Sequence, residues 1–297
     1  MQRPLTADTQ RRPNGAITPK VAPHQVVSLI LHDLKHGRLE LPVLPEVVTK
    51  INNMISNPAI SPRNVAQVAT QDAGLSARLM QLANSPLIRR GKPVDNVQEA
   101  VNCLGMMKVS NLLTSIVAKQ FFSTSNPKLT QRLKDLWAHS TSVAAISALL
   151  AKRYTKISPD EAMLAGLLHD IGELPVLKYV EKYPGLANDA EWLLKVRVGV
   201  VPIIGRAILV SWNFPKEIVN AIAKPADIAQ NSGPIELVDI VVVADLHSMI
   251  GSGISGYQRP LHDFPVIQKF GLEPKQSIKM LKEAREDIHL IQFALSS

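Results

Sequence analysis

Apolar residues recur at intervals of three and four along most of this chain, a spacing that is typical of one face of an α-helix. The first such run is Val26, Val27, Ile30, Leu31 and Leu34. No segment alternates strictly between apolar and polar residues as a half-buried strand does, and aromatic residues make up only 4% of the chain. The sequence therefore predicts an all-α fold, a multi-helical bundle. The main segments expected to be helical are 25–34, 45–55, 75–83, 97–121, 131–153, 159–168 and 274–293.

Residues that favour the first turn of a helix precede several of these segments. Ser158-Pro159-Asp160-Glu161 has the spacing of a capping box with proline at the first helical position. Ser61-Pro62, Phe214-Pro215 and Gly233-Pro234 introduce other apolar runs in the same way. We therefore expect many helices with short connections between them.

Composition excludes several classes of protein. Apolar residues make up 46% of the chain, which is enough to build a sizeable core and excludes wholesale disorder. Cys103 is the only cysteine, so neither an internal disulfide nor a cysteine-rich metal site is possible, and we expect it in the core. No apolar run approaches the roughly 18 residues of a membrane span, and the N-terminus lacks a secretory signal pattern. These features predict a soluble cytoplasmic protein that makes no membrane contact.

The net charge of +8 gives limited support to nucleic-acid binding. Residues 1–24, which we expect to form a disordered basic tail, hold four basic residues against Asp8 and account for +3 of that charge. The remaining +5 is modest for a body of this size. Nucleic-acid binding, as a regulator, is therefore only an alternative function for this chain.

Four polar residues interrupt apolar helical faces. His139 shares a stripe with Leu136, Val143, Ile146 and Leu150, and His169-Asp170 ends the helix that contains Leu167 and Leu168. Asp245 lies among Val241, Val242 and Leu246. A carboxylate inside a bundle is costly unless it is hydrogen-bonded, paired or bound to a cation.

Each of these residues alone is more often a hydrogen-bonded core residue than a ligand. Their joint order is more informative, because a His is followed after about thirty residues by His-Asp and after about seventy-five more by Asp. Two imidazoles and two carboxylates suit one divalent ion such as Mn, Fe, Co, Ni or Zn. The predicted metal ligands are His139, His169, Asp170 and Asp245.

The same residues carry a resemblance to a known superfamily. Residues 134–172 resemble an HD domain, the His…His-Asp…Asp metal-dependent phosphohydrolase superfamily. The upstream and downstream motifs narrow this to the HDOD domain, the HD-related output domain of bacterial signalling proteins, over roughly residues 38–250. These motifs are Leu41-Pro42-Val43-Leu44-Pro45, Asp72-Ala73-Gly74-Leu75-Ser76, Leu82-Ala83-Asn84-Ser85-Pro86, Ala100-Val101-Asn102-Cys103-Leu104-Gly105, Gly205, Trp212-Asn213-Phe214-Pro215 and Ala221-Ile222.

The resemblance implies a domain organisation. An N-terminal helical part, residues 25–130, is expected to pack on an HD-like helical part, residues 131–250. A loop and a C-terminal helix follow over residues 251–297. The groove between the two helical parts is the expected contact surface for other signalling proteins.

Four residues depart from the patterns of relatives. Val201 stands where HDOD relatives commonly have a His, and Lys224-Pro225 stands where a His-His pair often occurs. Glu173 stands where active HD enzymes that cleave cyclic dinucleotides have a Lys. These departures argue against a two-metal site that clamps both the attacking and the leaving oxygen.

Two main hypotheses about function follow. In the first, the chain is a non-catalytic signalling module whose four polar residues form a satisfied cluster or hold one structural ion. In the second, one metal activates water against a phosphoester, with Lys224, Arg206 or Lys178 as the neighbouring cation.

Other signals are given structural interpretations. The glycines of 251–256 match a dinucleotide-binding spacing, but a helix precedes them and Pro260 follows, so a loop is expected. His247 lies about 200° around the helix from Asp245 and is not a predicted ligand. Trp212 and Phe214 are expected to be packing anchors, and Asn84-Ser85 a helix-end turn.

Overall fold

The computed structural model describes residues 23–55, 57–84, 91–124, 126–180, 199–222, 233–249 and 264–283, with residues 89, 196, 285–286 and 288–289. The described residues form helices and turns with no strand, which confirms the all-α prediction. Three predicted features lie outside the described residues, namely residues 1–22 of the tail, the 251–256 loop and Lys224-Pro225. The helices are α1 Pro23–Lys35, α2 Glu46–Ile55, α3 Pro62–Ala69, α4 Ala73–Ala83, α5 Val97–Leu104, α6 Met106–Phe121, α7 Pro127–Tyr154, α8 Pro159–Leu168, α9 Glu173–Val180, α10 Val201–Ser211, α11 Lys216–Ile222, α12 Leu237–Ser248, α13 Pro265–Lys269 and α14 Pro274–Glu283.

The helix ends follow the predicted signals at several places. Ser158 caps α8 by accepting a hydrogen bond from the Glu161 N–H, with Pro159 at the first helical position. Asn84 ends α4, and its side chain makes two hydrogen bonds to the backbone of Val94, of 2.9 and 2.8 Å. Asn84 therefore closes the connection that leads from α4 towards α5.

The predicted single helix over 97–121 is two helices. Gly105 separates α5 from α6 with a φ of 83°, a conformation that residues with a side chain rarely adopt. The two helix axes meet at 113°. An isolated glycine in an apolar pattern is compatible with an unbroken helix, so periodicity did not reveal this corner.

The prediction that Cys103 lies in the core is wrong. Cys103 is exposed, as is its neighbour Asn102, whereas Val97, Ala100 and Val101 form the buried face of α5. The prediction assumed that the helix continues past residue 104. Cys103 and Asn102 lie on the face of α5 opposite to these buried residues, so packing of the buried face leaves Cys103 at the surface.

Two glycines allow close approach between helices that follow residue 126. α7 packs most extensively against α8 and α12. A Cβ added to Gly166 of α8 would lie 2.6 Å from Ser147 Oγ of α7. A Cβ at Gly172 would overlap the carbonyl oxygen of Val201 and lie 2.7 Å from the backbone nitrogen of Gly205. The absence of a side chain at Gly172 therefore allows α10 to approach the turn before α9.

Hydrogen bonds join the N-terminal helices to the later ones. Trp212 Nε1 donates to the carbonyl oxygen of Pro42 over 2.9 Å, and Asn213 Nδ2 donates to Asn53 Oδ1 over 2.7 Å. Trp212 is 2% exposed, and its ring lies 5.6 Å from that of Phe121, as expected for a packing anchor. The Trp212-Asn213 turn thus connects directly to the Leu41-to-Pro45 segment and to α2.

A membrane-spanning element was not expected. Within the described residues, no single helix is both long and apolar enough to cross a bilayer. The pair α5 and α6 reaches the required length and composition only when both helices are taken together across their 113° corner.

Candidate metal centre

Three helices bring the predicted ligands together. His139 lies in the middle of α7, His169 is the C-cap of α8 with Asp170 after it, and Asp245 lies in α12. Because α7 packs against both α8 and α12, residues that are far apart in sequence meet at one place. The exposed fraction of the side chain is 22% for His139, 16% for Asp245, 10% for Asp170 and 9% for His169. The cluster is therefore mostly buried but reaches solvent on the side of His139.

Ligand atoms of His139, His169 and Asp245 all lie within 4.8 Å of one another, and Asp170 lies beside the two imidazoles. His139 Nε2 lies 3.2 Å from both His169 Nε2 and Asp245 Oδ1, and 3.7 Å from Asp170 Oδ2. His169 Nε2 lies 3.3 Å from Asp170 Oδ2 and 3.9 Å from Asp245 Oδ1. Atoms that bond one ion at about 2.0–2.2 Å lie about 3.0–3.6 Å apart. The observed separations are therefore close to those of a ligand set around one cation.

Hydrogen bonds orient both imidazole rings. His169 Nδ1 donates to the carbonyl oxygen of Gly166 over 2.8 Å, which leaves Nε2 of the neutral ring without a proton. Ser248 Oγ donates to the carbonyl oxygen of Asp245 over 2.7 Å and faces His139 Nδ1 at 3.4 Å. Because its proton is used in that bond, Ser248 Oγ can act only as a hydrogen-bond acceptor towards His139 Nδ1. The neutral His139 ring then carries its proton on Nδ1, as the His169 ring does. Both Nε2 lone pairs face the cluster, and such orientation of ligand rings is common in metal sites.

The carboxylate of Asp245 supports the fit to a cation. Its Oδ1 is buried and accepts no hydrogen bond of good geometry, although it lies 3.2 Å from His139 Nε2. A buried carboxylate oxygen without a donor costs free energy unless a positive charge faces it. The donor set of two nitrogens and two carboxylate oxygens is also one that a borderline divalent ion accepts. The residues present thus fit a metal, and their role as ligands stays a prediction.

The charge next to the cluster differs from what the sequence suggested. Glu173 is 7% exposed, and its Oε1 accepts a hydrogen bond of 2.8 Å from Arg132 Nη2. Glu173 stands out in the sequence as a charge reversal, whereas nothing in the sequence singles out Arg132, which lies two helical turns before His139 on α7. That spacing of seven residues places Arg132 and His139 on one side of the helix, but it does not indicate Glu173 as the partner of Arg132. Arg206 and Lys178, two of the cations considered for catalysis, are exposed, and Lys224 lies outside the described residues.

His247 does not belong to the cluster. It is 1% exposed, its Nδ1 donates to the carbonyl oxygen of Val243 over 2.7 Å, and its buried Nε2 makes no hydrogen bond. Burial lowers the pKa of His247, so its ring is neutral over a wider pH range than usual. His247 thus lies apart from the ligand atoms of the cluster, as its predicted position about 200° around the helix from Asp245 implies.

Comparisons with known proteins agree with this arrangement of helices. The chain is 28% identical to a protein from Shewanella amazonensis SB2B named "Putative metal-dependent phosphohydrolase", with a TM-score of 0.74 over 92% of this chain and 99% of that one. It is 23% identical to an HDOD domain protein with unknown function from Geobacter sulfurreducens, with a TM-score of 0.65 over 92% and 98% of the two chains. An uncharacterized protein of Treponema pallidum (strain Nichols) is 26% identical over 200 residues. That match covers 62% of this chain but only 37% of the Treponema protein.

A family model gives the most direct assignment. The HDOD domain model matches residues 41–228, which include the Leu41-to-Pro45 motif, three of the four clustered residues and the Trp212-to-Pro215 turn. The match spans more than half of the chain and agrees with the resemblance inferred from its motifs. This chain belongs to the HDOD domain family.

Proposed function

We propose that this chain is a signalling module in which one divalent cation, bound by His139, His169, Asp170 and Asp245, fastens α7, α8 and α12 together. The module acts by contacting other signalling proteins and does not hydrolyse a phosphoester. The observation that supports the proposal is that ligand atoms of His139, His169 and Asp245 lie within 4.8 Å of one another, with Asp170 beside the two histidines and both rings oriented by hydrogen bonds.

The bound ion would cancel the charge of two carboxylates and accept the lone pairs of two imidazoles. The residues of this chain supply the rest of the site. Gly166 and Ser248 hold the rings, and the packing of α7 on α8 fixes the separation of His139 from His169. The expected consequence is a fold that is more stable with the ion than without it, because an ion that binds only the folded state adds its binding free energy to folding.

The surroundings of the cluster support a role without hydrolysis. A phosphoester needs positive charge beyond the metal to stabilise its transition state. Arg132 is a cation close to the turn after Asp170, but it is already paired with the carboxylate of Glu173. The side chain of Val201, in place of the His common in relatives, offers no ligand for a second ion.

A one-metal phosphohydrolase is the second candidate, and one observation favours it. His139 and Asp245 keep exposed fractions of 22% and 16%, so water could reach an ion bound there. Water on a divalent ion becomes a nucleophile near neutral pH because its pKa is lowered. The printed name of the Shewanella relative is consistent with this candidate.

The proposed contact surface lies beside the junction of the two helical parts. A cavity of about 440 Å³ opens along α2, lined by residues that include Lys50, Asn53 and Met54. Asn53 also accepts the hydrogen bond from Asn213 that joins the parts. A protein that docks in this groove would therefore contact the junction itself.

Replacing one ligand tests the proposal. Chain purified without chelator is expected to carry about one equivalent of a divalent metal by elemental analysis, and Asp245→Asn is expected to lose it. Asp135→Asn changes an exposed carboxylate on α7 and serves as the matched control, with metal content retained. The wild type and both variants are then assayed for hydrolysis of bis(p-nitrophenyl) phosphate with added Mn²⁺ or Zn²⁺.

Each outcome decides between the candidates. Metal bound without turnover supports the signalling module. Metal bound with turnover that Asp170→Ala abolishes establishes the phosphohydrolase instead. Wild-type chain that holds no stoichiometric metal before or after reconstitution overturns the ion in both candidates.

A further inference from the structure

An ion pair connects α7, which carries His139, to the start of α9, directly after the turn that carries His169 and Asp170. Arg132 Nη2 donates to Glu173 Oε1 over 2.8 Å, across 41 residues of sequence. The side chain of Glu173 is 9% exposed and that of Arg132 is 48% exposed. Arg132 lies on α7 two turns before His139, and Glu173 begins α9 directly after the turn that holds His169 and Asp170.

Glu173 is fixed to that turn by its backbone as well. Its N–H donates to the carbonyl oxygen of Asp170 over 2.8 Å. The preceding Gly172 lies so close to Val201 and Gly205 of α10 that a Cβ has no room there. The turn is therefore held from behind by α10, and Arg132 connects it to α7.

We propose that Arg132 and Glu173 are a positioning pair, which holds α7 against the His169-Asp170 turn at the separation that a shared cation requires. This inference rests on the proposed metal site and adds two residues that do not contact the ion. Metal ligands must keep their distances within about 0.2 Å, so a small displacement of α7 lowers the affinity for the ion. A nearly buried carboxylate without its partner would also draw water or reorient, and the turn would move with it.

The pair could act on a cation in a different way, through charge alone, and the two mechanisms predict opposite signs. If only charge matters, removing Arg132 leaves an extra negative charge near the cluster and tightens cation binding, whereas removing Glu173 weakens it. If the pair sets the position of α7, either loss disturbs the geometry and both changes weaken binding. The variants Arg132→Gln and Glu173→Gln separate these mechanisms.

The test measures Mn²⁺ and Zn²⁺ dissociation constants by titration calorimetry on the full chain. Positioning predicts that Arg132→Gln and Glu173→Gln each weaken binding about tenfold, as is usual when a residue supporting metal ligands is changed. The charge-swapped variant Arg132→Glu/Glu173→Arg is expected to recover most of the affinity. Lys134→Gln removes an exposed cation from the same helix and is the matched control, with affinity close to the wild type.

A second measurement on the metal-free chain keeps the inference independent of the ion. Ring ¹⁵N shifts of His139 and His169 at one fixed pH report how the two rings are bonded, and circular dichroism verifies folding. Positioning predicts that these shifts change in Arg132→Gln and stay constant in Lys134→Gln. Tighter binding in Arg132→Gln, or unchanged shifts and unchanged affinity, overturns the positioning pair. Absence of metal binding in the wild type overturns the proposed metal site, while the ring shifts still decide the pair.

Discussion

At the scale of single residues, charged side chains inside this bundle are matched by specific neighbours. Asp239 accepts a hydrogen bond of 2.6 Å from Lys269 Nζ, and Glu173 accepts one from Arg132. Asp245 Oδ1 is buried and instead faces two imidazoles, whose proton or bound ion must supply the matching charge. The chemistry of the site therefore depends on which cation this carboxylate receives.

A carboxylate at the start of α8 is placed unfavourably, and its replacement should stabilise the fold. Burial and the neighbouring charge of Glu217 raise the pKa of Glu161, so the folded state holds its proton more strongly than the unfolded chain. Above that pKa the charged Glu161 costs stability, and the cost disappears as the pH falls through and below the ordinary value of 4.5. Glu161→Gln should gain about 0.3–0.5 kcal/mol at pH 7, a small figure because the site is partly solvated.

Urea denaturation at pH 7 and pH 3.5 measures this gain. The advantage of Glu161→Gln should be present at pH 7 and absent at pH 3.5. The adjacent change Asp160→Asn removes a carboxylate that lies 3.0 Å from Lys108 Nζ, and it should lose rather than gain stability at pH 7. A loss of stability in Glu161→Gln at pH 7 would contradict the argument.

The four clustered residues were predictable from the sequence because each interrupts an apolar helical stripe. Polar residues at positions that periodicity assigns to the core cost free energy unless they have partners. Several such residues can compensate one another when they meet at one site. The Arg132–Glu173 pair was not predictable in the same way. Arg132 lies on a face where charge is ordinary, and its partner comes from a turn whose path depends on tertiary packing.

At the scale of secondary-structure elements, two glycines act through different physical constraints. Gly105 supplies a backbone conformation with positive φ and creates the corner between α5 and α6. Gly172 has no such conformation and instead makes room for the backbone of α10. The sequence alone does not distinguish a glycine needed for its backbone conformation from one needed for close packing, so the roles of Gly105 and Gly172 became clear only from the structure. Helix existence was predictable at most places, whereas this break was not.

Adding one methyl group at Gly172 should disturb the turn that carries two of the candidate ligands. Gly172→Ala would drive its Cβ into the backbone of Val201 and Gly205, and backbone cannot move aside as a side chain can. We expect a loss of about 1–3 kcal/mol in the free energy of unfolding, the range for overpacked sites. Thermal and urea unfolding measure this loss.

Gly199→Ala is the matched control for this substitution. A Cβ at Gly199 meets no atom within 4 Å, and the residue lies in a helical turn close to the start of α10. Its replacement should leave stability unchanged or raise it slightly, because alanine restricts the unfolded chain. Equal stability of the two variants would show that α10 adjusts without cost and would contradict the close contact as the reason for Gly172.

At the scale of the whole molecule, the N-terminal helices are fastened to the helices that carry the cluster. Trp212 and Asn213 bond to Pro42 and Asn53, and Tyr179 Oη donates to Asp33 Oδ2 over 3.0 Å. The Tyr179 hydroxyl is the main reason that the pKa of Asp33 is lowered. Residues of family motifs thus serve the junction between the parts as well as the core of each.

The junction can be weakened without emptying the core. Trp212→Phe keeps an aromatic ring in the packing against Phe121 but removes the indole N–H that bonds the carbonyl oxygen of Pro42. A partly buried carbonyl that loses its donor, together with the smaller ring at a buried site, should cost about 2–3 kcal/mol in the free energy of unfolding. If the two helical parts fold as one unit, urea transitions followed by circular dichroism and by amide NMR signals from each part should shift to lower urea together. Transitions that separate would instead show that the N-terminal helices and the helices that carry the four clustered residues are independently stable, and that the hydrogen bonds of Trp212 and Asn213 join two folding units.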